Sequence, residues 1–200
     1  MIRIFGTMRS RANRCVWAAQ ETGQAFELVS VDFARNEQKS PDYLKINPNA
    51  RVPAMQDGDL TLWESFAINL YLARKSGGDL GPRNAVEEAQ MVMWSMWATN
   101  ELEKHGLDVL FHTAFLPQEK RDPKAVEAAL AAMERPLKVL DAALASGPLV
   151  GGRFTIADLN VACILLYLRG QADYLAKFPN VAAALKAATE RDGFKRAFAR

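Results

Sequence analysis

Between Gly77 and Pro82 the chain runs Gly-Gly-Asp-Leu-Gly-Pro, and the spacing of apolar residues differs on its two sides. Glycine and proline punctuate local structure because one tolerates backbone conformations that others avoid and the other removes a hydrogen-bond donor. Before the break, short strand-like runs alternate with stretches of helical spacing; beyond it only helical spacing remains. Such a chain folds as two unlike parts, divided here into residues 1–77, a linker 78–84, and residues 85–200.

In the first part, Ile2, Ile4 and Phe5 read as a strand closed by Gly6, after which Ala12, Cys15, Val16 and Ala19 recur at helical spacing until Gly23. Phe26 to Phe33 returns to a strand pattern. Ser40-Pro41-Asp42 opens a short helix with a capping hydroxyl and a proline at its first position, and Asn47-Pro48 breaks it. The first strand, helix and strand predict parallel pairing with a right-handed crossover. Val52 to Met55 and Leu60 to Leu62 bracket Asp57-Gly58-Asp59, the turn chemistry of a hairpin. Ser65 opens a further helix carrying Phe66, Leu70 and Tyr71. The order is βαβ-ββα, an α/β domain with a mixed sheet. The second part predicts an all-α bundle of helices over Ala85–Phe115, Pro123–Ala145, Ile156–Leu168 and Val181–Arg191. The third of these is apolar on nearly every side and belongs at the centre of the bundle.

Acidic and basic residues are interspersed and the formal net charge is +2, so neither a nucleic acid nor a membrane surface is called for as partner. The chain's two cysteines, Cys15 and Cys163, lie in separate helical segments, which excludes a disulfide scaffold and suits a reducing cytoplasm. Met1 leads directly into a strand pattern without an export signal, and the longest apolar run, Val161 to Leu168, is too short to span a bilayer. His105 and His112 lack a third ligand, so no metal is expected.

Ser10 lies between the first strand and the first helix, where unpaired N–H groups and the helix dipole favour negative charge. A hydroxyl there has two readings: an ordinary helix cap, or a donor that holds a thiol, of ordinary pKa about 8.5, as its thiolate. Arg9, Arg11 and Arg14 surround the same turn; an anionic ligand or a solvated basic face accounts for them equally. Cys15, one turn on and facing inward, reads as a core residue. Thr155 and Asp158 form a capping box for the buried helix.

Asn47-Pro48-Asn49-Ala50-Arg51-Val52-Pro53, Asp57-Gly58 and Leu62-Trp63-Glu64-Ser65, with Ser10-Arg11-Ala12 and Thr155-Ile156-Ala157-Asp158, resemble the glutathione S-transferase family along the whole chain. Ser10, with neither a tyrosine nor a cysteine in its place, points to a serine-type, theta-like bacterial member. The resemblance implies a thioredoxin-like first domain, a cis bond before Pro53, and glutathione as co-substrate with no metal. It implies that the Val52 main chain pairs with the cysteinyl unit, and that Glu64 meets the α-ammonium. Ser65 would take the γ-glutamyl carboxylate, with Arg51 and Gln38 on the glycine carboxylate. Ser10 would contact the thiol, with Thr7 and Arg11 as rivals. Ala50 stands where most members carry glycine.

The implied activity is transfer of glutathione to a small apolar electrophile, met by Trp97, Asn100, Glu101 and Phe111 of the helical part, in a cytoplasmic homodimer. Trp97 and Phe111 serve equally well as packing residues, and Trp94 reads as one. Isomerase, dehalogenase and peroxidase chemistry share the same thiolate. A non-catalytic regulatory or scaffold protein on the same fold is the alternative of a different class.

Overall fold

The computed structural model describes residues 1–199. The chain forms two compact units, one of residues 1–82 with the segment from 190 onward, the other of residues 83–189.

The first unit contains β1 (Ile2–Phe5), α1 (Ala12–Glu21), β2 (Phe26–Val29), α2 (Pro41–Ile46), β3 (Ala54–Asp57), β4 (Leu60–Trp63) and α3 (Ser65–Ser76). This is the predicted βαβ-ββα order. The sheet runs β2-β1-β3-β4, with β1 parallel to β2 and antiparallel to β3, and β3 antiparallel to β4. Alternation sets the faces of β1: Ile2 and Ile4 are buried while Arg3 between them is exposed. Phe5, Val31, Tyr43 and Ala54 form a core cluster, with the Phe5 and Tyr43 rings edge to face at 6.1 Å. The hairpin turns at Gly58, whose φ of +59° suits a residue without Cβ. The second strand is shorter than its apolar pattern, stopping at Val29 instead of Phe33. Asp32 diverts the chain, its Oδ1 accepting from the Ala34 and Arg35 N–H groups at 2.8 and 3.4 Å.

The second unit contains α4 (Ala85–Ala98), α5 (Lys104–Leu110), α6 (Pro123–Leu144), α7 (Ile156–Leu165), α8 (Ala172–Leu175) and α9 (Pro179–Glu190). The predicted helix over 85–115 is helical throughout but is interrupted by wide π-type turns at Thr99–Glu103 and Phe111–Phe115. Helix α7 is buried on nearly all sides. Its one buried amide, Asn160, donates to Ser95 Oγ at 2.9 Å, and Ser95 donates to the Met91 carbonyl at 2.7 Å. The Thr155 N–H and hydroxyl both donate to Asp158 Oδ2 at 2.8 Å, which holds the start of the helix as the capping pattern predicts.

The last helix, α10 (Asp192–Phe198), packs with the first unit. Its Phe194 and Phe198 rings meet Trp17 of α1 edge-on at 5.0 and 6.4 Å. Glu21 of α1 accepts from Trp17 Nε1 at 3.0 Å and from Arg191 Nε and Nη2 at 3.1 and 2.9 Å. No helix among the described residues is long and apolar enough to cross a membrane.

Candidate functional site

The first unit gathers three stretches that the sequence singles out: the β1–α1 loop, the loop before β3, and the start of α3. Gly6, with φ +140°, is where the first two of them meet. A carbon added to it would lie 2.6 Å from Ala12 Cβ, 3.0 Å from Ser10 Oγ and 3.3 Å from Val52 Cβ, so only glycine lets these backbones approach. The Val52–Pro53 peptide bond is cis. Among the described residues no hydrogen bond reaches the Val52 main chain, which leaves its N–H and C=O available for an added strand-like partner.

The loop carrying Val52 is held from beneath. The Arg51 carbonyl accepts from Tyr43 Oη at 2.7 Å and from Asn47 Nδ2 at 2.8 Å, while Asn47 Oδ1 accepts from the Asn49 N–H at 3.0 Å. Burial pushes the Tyr43 phenol up to about 12, so it stays a hydrogen-bond donor across the working pH range. Ala50 adopts a left-handed φ of +52°, which accounts for the glycine preference at that position. The Arg51 side chain is exposed. Gln38, on a short turn of 3-10 helix, is buried, and its Oε1 has no hydrogen-bond partner among the described residues.

At the head of α3, Glu64 is exposed with φ +71° and ψ +112°, a conformation that a side chain-bearing residue rarely adopts. Ser65 next to it is buried, and its hydroxyl accepts from Arg14 Nη1 at 3.4 Å. Arg14 itself is only 2% exposed, with its guanidinium 5.1 Å from the Phe66 ring centroid. The sequence placed Arg14 only within a group of three arginines. Its burial sets it apart from Arg9 and Arg11, which are exposed. A buried cation and the unpaired N–H groups of the first turn of a helix together make an anion site.

Ser10 is more committed than its position suggests. Its hydroxyl donates to the Thr7 carbonyl at 2.8 Å and accepts from the Thr7 and Ala12 N–H groups, both at 3.2 Å. It therefore ties the loop to the first N–H of the helix, and it reaches a ligand only by turning its proton away from Thr7. The Thr7 hydroxyl, in contrast, makes no hydrogen bond among the described residues. Cys15 is fully buried, as a core residue should be, with its thiol 3.7 Å from the Ser65 carbonyl.

In the second unit, Trp97 lies on α4 with its ring edge to face with Trp94 at 5.2 Å. Asn100 and Glu101 fall in the first π-type turn, and Phe111 opens the second with 44% of its surface exposed. His112 Nδ1 accepts from the Asp122 N–H at 3.0 Å. Among the described residues no group of three His, Cys, Asp or Glu side chains is gathered as a metal ion would require.

Comparison with known proteins agrees with this geometry. Residues 2–74 match the glutathione S-transferase N-terminal domain family, and residues 123–187 its C-terminal domain family. Glutathione S-transferase 1 of Zea mays is 35% identical over 189 residues, covering 91% of this chain and 88% of the relative. The structure of glutathione S-transferase-I bound with lactoylglutathione superposes with a TM-score of 0.91 at 33% identity, covering 99% of this chain and 98% of that one. A theta-class glutathione S-transferase from Xanthomonas axonopodis pv. citri, with glutathione bound, gives 0.84 at 30% identity, covering 98% and 96%. The plant relative matches at higher identity than the bacterial structure, so the family is shown while the theta-like bacterial assignment is not.

Proposed function

The chain belongs to the glutathione S-transferase family, and from that premise we propose that it binds glutathione in the first unit, holds it as the thiolate and transfers it to a small apolar electrophile. The observation that carries the reading is a pair of close approaches in one unit: Ser10 and Val52 meet at Gly6, and buried Arg14 of α1 meets Ser65 at the head of α3. Glutathione is extended and carries an ammonium and two carboxylates, so it needs a strand-like main-chain partner and opposite charges at its ends. The free Val52 main chain serves the cysteinyl unit. Ser65, the α3 N-terminus and buried Arg14 serve the γ-glutamyl carboxylate, and Glu64 the α-ammonium. Arg51 and Gln38 are assigned to the glycine carboxylate, Gln38 through the N–H donors of its side-chain amide.

The thiolate is assigned to Ser10 at the start of α1, with Thr7 and Arg11 as rivals. Ser10 keeps the role on position, although its proton is spent on Thr7 until a stronger acceptor arrives, as a thiolate would be. Once formed, the thiolate attacks the electrophile, the carbon–sulfur bond replaces the bond to the leaving group, and no acid or base from the chain is required. Trp97, Asn100, Glu101 and Phe111 are proposed to meet that electrophile; two of them sit on a π-type turn and Phe111 begins another, features that recur at functional sites. A cytoplasmic setting suits two buried cysteines that form no disulfide.

A homodimer is proposed because α4 shows Val86, Met93 and Met96, each more than half exposed, at seven- and three-residue spacing along one stripe. A second copy related by a two-fold axis would cover that stripe. The test of function is turnover with a chlorodinitrobenzene electrophile together with the ultraviolet difference signal of bound thiolate. Turnover with a thiolate signal supports transfer; glutathione binding without either moves the chain to the regulatory or scaffold class.

A further inference from the structure

The helical unit contains a half-open pocket of about 300 Å³ that the proposed chemistry does not use, bounded by the end of α6, the Gly147–Leu149 segment, α7 and α9. Protein interiors are close-packed, and a space of this size persists only where the surrounding side chains are too short to fill it. That is the case here: Ala162 of α7 and Ala183, Ala184, Ala187 and Ala188 of α9 present only methyl groups to it. Phe154 and Leu165 add bulk to the lining without closing the space. The wall is almost wholly apolar, and no lysine or arginine contributes to it.

The pocket's polar groups narrow the chemistry of an occupant. Asp158 is already taken: its Oδ1 accepts from the Leu149 N–H at 2.8 Å and its Oδ2 from both donors of Thr155. Asn180 has its Nδ2 committed to Asp141, with contacts of 3.1 Å to both the carbonyl and Oδ2, while its Oδ1 accepts no hydrogen bond among the described residues. One open acceptor, no cation, and a carboxylate on the wall together disfavour an anionic ligand and favour a neutral one bearing a single donor. A dry cavity of about 150 Å³ holds one benzene ring, so twice that space suits a fused bicyclic ring.

We propose that this pocket is a second ligand site, taking a neutral, flat bicyclic aromatic molecule whose single hydroxyl or N–H donates to Asn180 Oδ1. It lies wholly within residues 83–189 and does not depend on glutathione.

Naphthol titrated into the full chain by calorimetry tests this. Saturable binding is expected, weakened about tenfold or more by Ala184→Phe, which fills the pocket, and equally by Ala187→Trp, which blocks it from an exposed position. Ala187→Trp keeps the test alive if the half-buried Ala184→Phe fails to fold, as circular dichroism would report. Naphthalene, lacking the donor, should bind more weakly than naphthol. Absence of naphthol binding, or binding unchanged in a folded Ala187→Trp variant, overturns the proposal.

Discussion

Ser10→Ala removes one oxygen with two jobs, one shown by its hydrogen bonds and one proposed for the bound thiol. Two N–H groups, those of Thr7 and Ala12, lose their acceptor. The Thr7 carbonyl loses a donor but keeps the Ser10 N–H at 3.0 Å. Loss of a helix-start hydroxyl costs about 1–2 kcal/mol, which in a chain of this size lowers the melting temperature by roughly 2–8 °C. The second job is on the bound thiol. A hydrogen bond to a charged acceptor contributes about 1.5–3 kcal/mol, so its loss should raise the thiol pKa by about 1–2 units. The acid limb of the pH profile of kcat/KM moves up by the same amount, and turnover below it falls about 10- to 100-fold. Thermal melts read the first effect; ultraviolet titration of the enzyme-bound thiol and the pH profile read the second. A variant that loses stability while its acid limb stays in place would refute the thiol role. Ser10 would then be a loop-ordering residue, and Thr7→Val should move the limb instead.

Other consequences are more local. Ala50→Gly should stabilise the protein by roughly 0.5–1 kcal/mol, because relief of a left-handed residue, about 1–2 kcal/mol, exceeds the entropy glycine adds to the unfolded chain; a lower melting temperature would contradict this. Arg14→Met should weaken glutathione binding about 10- to 100-fold by calorimetry, since the γ-glutamyl carboxylate loses its buried cation. Glu87 is held down to about 2, first by its hydrogen bonds from Arg153 and then by that from the Arg83 N–H. A depressed carboxylate contributes stability above its unfolded value of 4.5 and loses it as pH falls toward 2. The melting-temperature gap between the wild type and Glu87→Gln should therefore shrink across that window, and a constant gap would show that the Arg153 pairing carries no acid sensitivity.

The division of labour between strands and helices was legible because it rests on period: the alternation of Ile2 and Ile4, the Asp57-Gly58-Asp59 turn and the all-round apolar character of α7 are local signals. The stretches that form the candidate site, the Val52 loop and the head of α3, stood out through resemblance in their spacing. What was not legible depends on contacts distant in sequence. Arg14 meets Ser65 across 51 positions, and nothing in a run of three arginines marks which one is buried. Helix α10 is short, and its allegiance to Trp17 is decided by ring packing and the Glu21–Arg191 pair rather than by its own pattern. The π-type turns and the positive φ of Glu64 belong to backbone geometry that ordinary residues conceal, whereas Ala50 showed its φ only by standing in a glycine's place.

Calorimetric titration of glutathione into the wild-type protein, Glu64→Ala and Ser65→Ala tests the central claim most directly. One saturable site per chain is predicted, with each variant weakened about tenfold or more by loss of a charge-assisted contact. No heat of binding in the wild type, or variants that bind glutathione as well as it does, would contradict the assignment of the ligand to the head of α3 and the Val52 loop.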